Sequence, residues 1–482
     1  MEVLAEGTEY SYSYVEPDGT KTLESAVLPQ RVRDAAGSWI PISTQLVTAT
    51  GGRWRPTATT AEVTFSGGGG GPLVELHAGN NLFSISWPTP LPAPSINGDT
   101  ATYSSVLTDI DLHVIATRTG FKHVLEVKTA QAAANEDLAQ VRYLLGGDIT
   151  PEPLAGGGLR LADPTGRTVG VTPTASMWDS SVDPTLGGEV LPPDPGRSAE
   201  GAEAPAPSTA AGPGPATPLR PVEVQVGTDE LAVVPDQAVL TGPDTVFPVF
   251  IDPSFENKSA NWAYANNINT NWDIGNRAWV GRNTYDGALY RSFFDFNVWQ
   301  VRGKRVLSAQ VRAKLDHSWS CSATPTHLYR TAGVSATPRM SWGTRPLPSS
   351  KWLAAQEANA NEAGGCGVIQ PDVDVEFGGS ALTSDVQYAV NRQWTGYTVG
   401  LCACNSSGQY ESTQDRWKMF YVDQTWLIVS YNSRPGVPTE LTTSSVACGG
   451  VVGTTSPKLR ARYVDPDGSD TLIGRFEWKD VT

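Results

Sequence analysis

The chain has no apolar run approaching the ~20 residues that span a bilayer, which excludes a membrane-crossing helix. Its start, MEVLAEGTEYSYSYVEPDGT, lacks a basic segment followed by an apolar one, so no signal peptide is read there. Charged residues are only 18% and the balance is acidic, 35 Lys and Arg against 50 Asp and Glu, for a net charge of −15. A chain so short of cations, with no polybasic segment, is not expected to bind nucleic acid or a membrane surface, because both bind through Lys and Arg. Long stretches of Ala, Glu, Lys and Leu are also missing, which argues against a helical protein.

Catalytic signatures are absent as well. No G-x-S-x-G, HExxH or Cys/His pattern accompanies the five histidines. His113 and His123 could face each other across one hairpin, but no third metal ligand is evident. The Gly67–Gly71 run has no G-K-[ST] and opens no helix, so it reads as a loop and not as a phosphate cradle. The five cysteines fit no zinc template, since Cys402 and Cys404 form C-x-C. One or two disulfides are expected, with Cys321–Cys366 the preferred pair and Cys448 the odd thiol.

What is present is glycine (48), proline (36) and short alternating runs separated by turn residues, over 482 residues. That pattern predicts an all-β protein of several domains. SYSYVEPDGTKTLESAVL is a hairpin turning at Pro17-Asp18-Gly19, and IDLHVIATRTGFKHVLEV is another turning near Thr119-Gly120. These strands predict an N-terminal β-sandwich-like module over 1–250. The Pro/Ala/Gly stretch at about 191–221 cannot bury a core and is expected as a disordered insertion within it. The short strands after it are expected to return to the first sheet system. One helix is predicted in SALTSDVQYAVNRQW, where Leu382, Val386, Ala389 and Val390 share a face.

Ten of the fifteen tryptophans fall between 252 and 433. Phe293, Phe294 and Phe296 crowd one strand there; period-2 alternation sends Phe294 and Phe296 to the core and Phe293 to the other face. Sugar sites need flat aromatic faces beside amide, carboxylate and guanidinium groups. Trp262, Tyr264, Asn271, Trp272, Trp279 and Tyr285 supply those types, and the same residues equally suit the packing of a β-sandwich. Asp372, Asp374 and Glu376 alternate, so a strand would set them on one face, either as calcium ligands or as a solvated charged face. Calcium is the one cofactor considered. Asp465, Asp467 and Asp470 in VDPDGSD have calcium-loop spacing but read better as a hairpin turn.

The 252–433 region resembles the DNRLRE-type domain, counted among carbohydrate-binding modules, through RSFFDFNVWQVRGKRVLSAQVRAKLDHSWSCSATPTHLYRT, the helix leading into WTGYTVGL, and KMFYVDQTWLIVSYN. The letters that name the family do not occur here, so it would be a divergent member. VLPQRVRDAAGSWIPISTQL and VVPDQAVLTGPDTVFPVFIDPS resemble the leader region of large secreted actinobacterial modular proteins. The resemblance implies a jelly-roll-like sandwich at 252–433 and the start of an immunoglobulin-like unit at 434–482. It also implies a secreted or cell-surface location, with a signal before this sequence and further modules after it. The function so implied is non-catalytic: binding to a polysaccharide or cell-wall glycan and display of downstream domains of the same chain. Two alternatives stand beside it, the structural N-terminal part of an Rhs-type toxin and a glycan hydrolase.

Overall fold

The computed structural model describes the chain except for residues 156–157, 182–207, 214–216, 218, 257–260, 269–271, 274–276, 284–286, 336–339, 362–365, 448–449, 467–471 and 478–482. It is an all-β protein of antiparallel sheets. Among the described residues no helix is long and apolar enough to cross a membrane.

Two eight-stranded sheets face each other in the N-terminal module. One is ordered 223–226, 230–234, 141–147, 81–86, 74–78, 62–65, 54–58, 43–48. The other holds the hairpin Ile110–Thr117 and Gly120–Val127, beside which Val249–Asp252 pairs. Phe65, Leu76, Phe83 and Ile85 of the first sheet meet Leu112, Val114, Phe121 and Ile251 of the second in one dry core. The strands after the insertion return to these sheets: Glu230–Val234 pairs with Val141–Gly147, and Val249–Asp252 lies between Gly120–Val127 and Ser176–Trp178.

Most of the expected disordered insertion lies outside the described residues, but its described parts are packed. Ser208 and Thr217 are buried and share a hydrogen bond of 3.0 Å, and Arg220–Pro221 pairs with Ser176–Trp178. Trp178 and Phe250 give these residues something to cover: Ala210 and Leu219 pack on that pair, on the outer face of the sheet.

In the second module the strands form one curled sheet that folds over itself around a second core. The corner is the strand Arg277–Arg282, which pairs with Lys418–Asn432 through residues 277–280 and with Leu289–Asn297 through Gly281 and Arg282. Gly281 has φ +99°, and a Cβ there would stand 3.0 Å from both the Ala403 Cβ and the Arg416 carbonyl, so only glycine turns this corner. The predicted helix is Ser380–Asn391, and Leu382, Val386, Ala389 and Val390 are all fully buried. Phe293, Phe294 and Phe296 are fully buried too. Phe293 lies across the space beside its register partner Gly400, which has no side chain, and Leu347 packs against the same spot.

The N-terminal boundary differs from expectation. Ser11–Val15 and Lys21–Ala26 form the predicted hairpin, but it is not part of the first module's sheets. Lys21–Ala26 pairs residue by residue with Tyr431–Trp426, and Leu23 and Val27 enter the second core. Adjacency in sequence suggested the first module; the free edge of the Lys418–Asn432 strand is what the hairpin satisfies. The joint is further tied by Arg118, which bonds the Pro29 carbonyl at 2.9 Å and Asp423 at 3.0 Å, and by Gln30, which donates to the Asp423 carbonyl.

Cys321 and Cys366 are paired, with Cα atoms 5.4 Å apart across a 45-residue separation. On loop entropy such a bridge stabilises by about 4 kcal/mol. Cys366→Ser is therefore expected to lower the melting temperature of the second module by several degrees in non-reducing buffer. Under full reduction the variant and the parent should melt together. Cys448 lies outside the described residues.

Residues 434–482 contribute a three-stranded sheet, Thr439–Thr443, Val446–Ala447 and Leu459–Arg462, with Val437, Val451 and Ile473 exposed. Asp465 is described, whereas Asp467 and Asp470 lie outside the described residues.

Candidate functional site: an aromatic and charged sheet face

Of the aromatics nominated by composition, Trp262 and Tyr264 are core residues and Trp279 is partly buried against the same core. Trp262 is 1% exposed and Tyr264 6%, on a strand buried at every position. Tyr264 lies parallel to Trp279 with ring centroids 5.5 Å apart, and Tyr290 and Trp417 close the group edge-on. Sugars stack on rings that solvent reaches, and Trp262, Tyr264, Tyr290 and Trp417 are buried. Composition could not separate the two readings, because a sandwich core and a sugar platform use the same residue types. For Trp272 the backbone pairs with Ala265; Asn271 and Tyr285 lie outside the described residues.

The acidic set is likewise not gathered into a cage. Asp374 and Glu376 are exposed on the strand Val373–Gly378, opposite Lys314 and Arg312, and Asp372 lies 3.6 Å from the Lys314 ammonium. Alternate residues on a strand stand ~7 Å apart, whereas one calcium ion needs every ligand oxygen at about 2.3–2.6 Å. The three acids serve as cross-strand partners of two cations. The described donors that do converge are Cys402, Cys404 and Glu411, but the cysteines are bonded to each other. Both Glu411 oxygens take the buried Arg291 guanidinium, which also lies 3.8 Å over the Trp342 ring.

His113 and His123 do not form a pair. His113 is the register partner of Val124 and His123 of Val114, so their side chains leave opposite faces of the hairpin. His113 is bonded to Thr102 and Glu126.

An open aromatic surface exists elsewhere, on the outer face of the sheet that the N-terminal hairpin completes. Ser11, Ser13, Leu23 and Ser25 point inward and are buried, so Tyr12, Tyr14, Thr22 and Glu24 point outward. The inward positions are small because the Trp299–Val301 turn approaches them: Gln300 donates to the Ser11 hydroxyl at 2.8 Å. In register across the sheet run Tyr12, Glu24, Ile428 and Gln310, and in the next row Ala26, Trp426, Arg312 and Glu376. Tyr12 and Tyr14 are near-parallel at 6.3 Å, and Trp426 lies 6.0 Å from Tyr12. All three rings are half-buried. The row extends past the sheet edge: the Arg31 guanidinium stands 4.3 Å over Tyr12 and 4.6 Å over Trp39.

Burial raises both tyrosine hydroxyls above their ordinary pKa, so they are neutral donors at physiological pH. Burial also raises Glu24, against the pull of Arg312. A surface with stacked ring edges, two hydroxyls, a carboxylate, an amide and a guanidinium can hold an extended polar ligand. The signal was in the sequence as Tyr10, Tyr12 and Tyr14 alternating with serines. The ordinary rule of larger apolar residues inside assigns those faces the wrong way round.

No family model matches the chain, and no curated protein matches it.

Proposed function

We propose that the protein is a non-catalytic, extracellular module that binds a glycan on the outer face described above and displays neighbouring domains of its chain. The observation that carries the reading is the row Tyr14, Tyr12, Trp426, with Glu24, Gln310 and Arg312 beside it, on the solvent side of four adjoining strands. The resemblance of 252–433 to a DNRLRE-type domain and the Cys321–Cys366 bridge agree with an oxidising, extracellular setting. The tie of the N-terminal hairpin to the Lys418–Asn432 strand suits display, since it restrains one module against the other.

The test is depletion of the full chain from solution by insoluble polysaccharides, followed by titration against whichever binds. Tyr12→Ala and Trp426→Ala are expected to weaken binding at least tenfold each, about 1.4 kcal/mol or more. Neither should change the melting temperature much, because both rings stand on the outer face. Unchanged affinity in both variants would remove this surface from the reading.

A further inference from the structure

A second aromatic cluster lies at the C-terminal end of the helix Ser380–Asn391, and its charge is unlike that of the sheet face. Tyr388 is 44% exposed and meets Trp394 edge-on, centroids 5.9 Å apart at 90°. The Arg330 guanidinium sits in the angle between them, 5.5 Å from the Tyr388 ring and 5.4 Å from Trp394. Arg392 lies over Tyr388 at 4.6 Å and is exposed.

Asp385 stands behind Arg330, its Oδ2 2.9 Å from the Arg330 Nε in an ion pair without a hydrogen bond, and the same oxygen accepts the buried Tyr397 hydroxyl at 2.9 Å. Among the described residues no hydrogen bond engages the Arg330 Nη atoms, so the forked end of the guanidinium is uncommitted. A fixed arginine fork between two rings matches a carboxylate or phosphate bidentately, and the rings supply apolar faces for the rest of a sugar. Two arginines against the one carboxylate of Asp385 leave the corner cationic in a chain of net charge −15. Asp385 is engaged, so its place is to orient Arg330.

We propose that Tyr388, Trp394, Arg330 and Arg392 form a second ligand site whose ligand is an anionic glycan, bound through a carboxylate or phosphate at the arginines. The proposal extends the glycan-binding reading to separate residues, and each site has its own variants. Full-length protein is titrated with polygalacturonate, with a phosphorylated mannan and with a neutral mannan, at low and at moderate salt. At least one anionic polymer should bind tenfold or more tightly than the neutral mannan, and that binding should weaken as salt rises. A preference for polygalacturonate assigns the carboxylate as the recognised group, and the reverse assigns phosphate.

Arg392→Ala, at an exposed position, should weaken anionic binding about fivefold without touching the fold. Arg330→Gln should abolish it, and Arg330→Lys should restore only part. Equal affinity for neutral mannan and both anionic polymers, no binding to either anionic polymer, or full binding by both Arg392→Ala and Arg330→Gln overturns the proposal. None of those results bears on the sheet face, whose test is the loss of binding in its own variants.

Discussion

A chain beginning at residue 28 is expected to be recovered as aggregate, or as a second module that melts far below that of the full chain. The hairpin it lacks gives six register pairs to the Lys418–Asn432 strand and two fully buried side chains, Leu23 and Val27, to the second core. Leu23→Ala alone should cost about 2–5 kcal/mol, the usual range for emptying a buried leucine site. Whole domains are stable by only about 5–15 kcal/mol, so that one substitution removes a large share. Deleting the hairpin adds the loss of the Val27 contacts and leaves residues 426–431 of the Lys418–Asn432 strand unpaired on one edge, ready to join another chain. An isolated 252–433 fragment should fail in the same way. Adding a synthetic 1–27 peptide during refolding should restore soluble, cooperatively melting protein. A chain from residue 28 that melts like its parent would show that the hairpin is an ornament on a self-sufficient sandwich.

That dependence marks the limit of what could be read from sequence. Local signals were legible. Asp18-Gly19 and Thr119-Gly120 announced their turns, and the 3.6-residue spacing of Leu382, Val386, Ala389 and Val390 announced the helix and its buried face. The alternation of Phe293 against Phe294 and Phe296 gave the right faces, though not that Leu347 would pack beside Phe293. Pairings across long separations were not legible, because nothing in residues 21–26 names residues 426–431 as their partner. Two of the nominated aromatics, Trp262 and Tyr264, are buried for a related reason: whether they meet solvent is decided by what lies over their strand, not by the strand. Tyr388 and Trp394 sat inside a recognised helix and its exit, yet Arg330, which makes them a site, comes from a strand about sixty residues earlier.

Lowering the pH should destabilise the N-terminal module through one residue. His123 is wholly buried against Phe121, Tyr143 and Phe255, and among the described residues neither ring nitrogen has a partner. Burial holds its pKa down at about 3, against 6.5 as the ordinary value. The unfolded chain therefore binds a proton that the folded chain refuses, and stability falls as pH drops from about 6.5 towards 3. At pH 5 the loss is about 2 kcal/mol. His123→Phe, a ring of similar shape among rings, should abolish this slope, melting several degrees above the parent at pH 5 and close to it at pH 8. The second module carries a counterpart in another window. Lys418 is fully buried, donates to Thr324, and is lowered by burial from 10.5 to about 7. Its unfolded form holds a proton that the folded form loses between 7 and 10.5, so that module should gain stability as pH rises through this range. Lys418→Met removes the buried amine, and the Thr324 hydroxyl keeps the Asp415 carbonyl as its partner. The variant should melt higher than the parent at pH 7, by an advantage of at most about 5 kcal/mol, and the difference should shrink toward pH 10. Calorimetry of the parent and the two variants at pH 5, 7, 8 and 10 separates the windows. A His123→Phe protein that keeps the parent's acid slope would place the acid sensitivity elsewhere in the module.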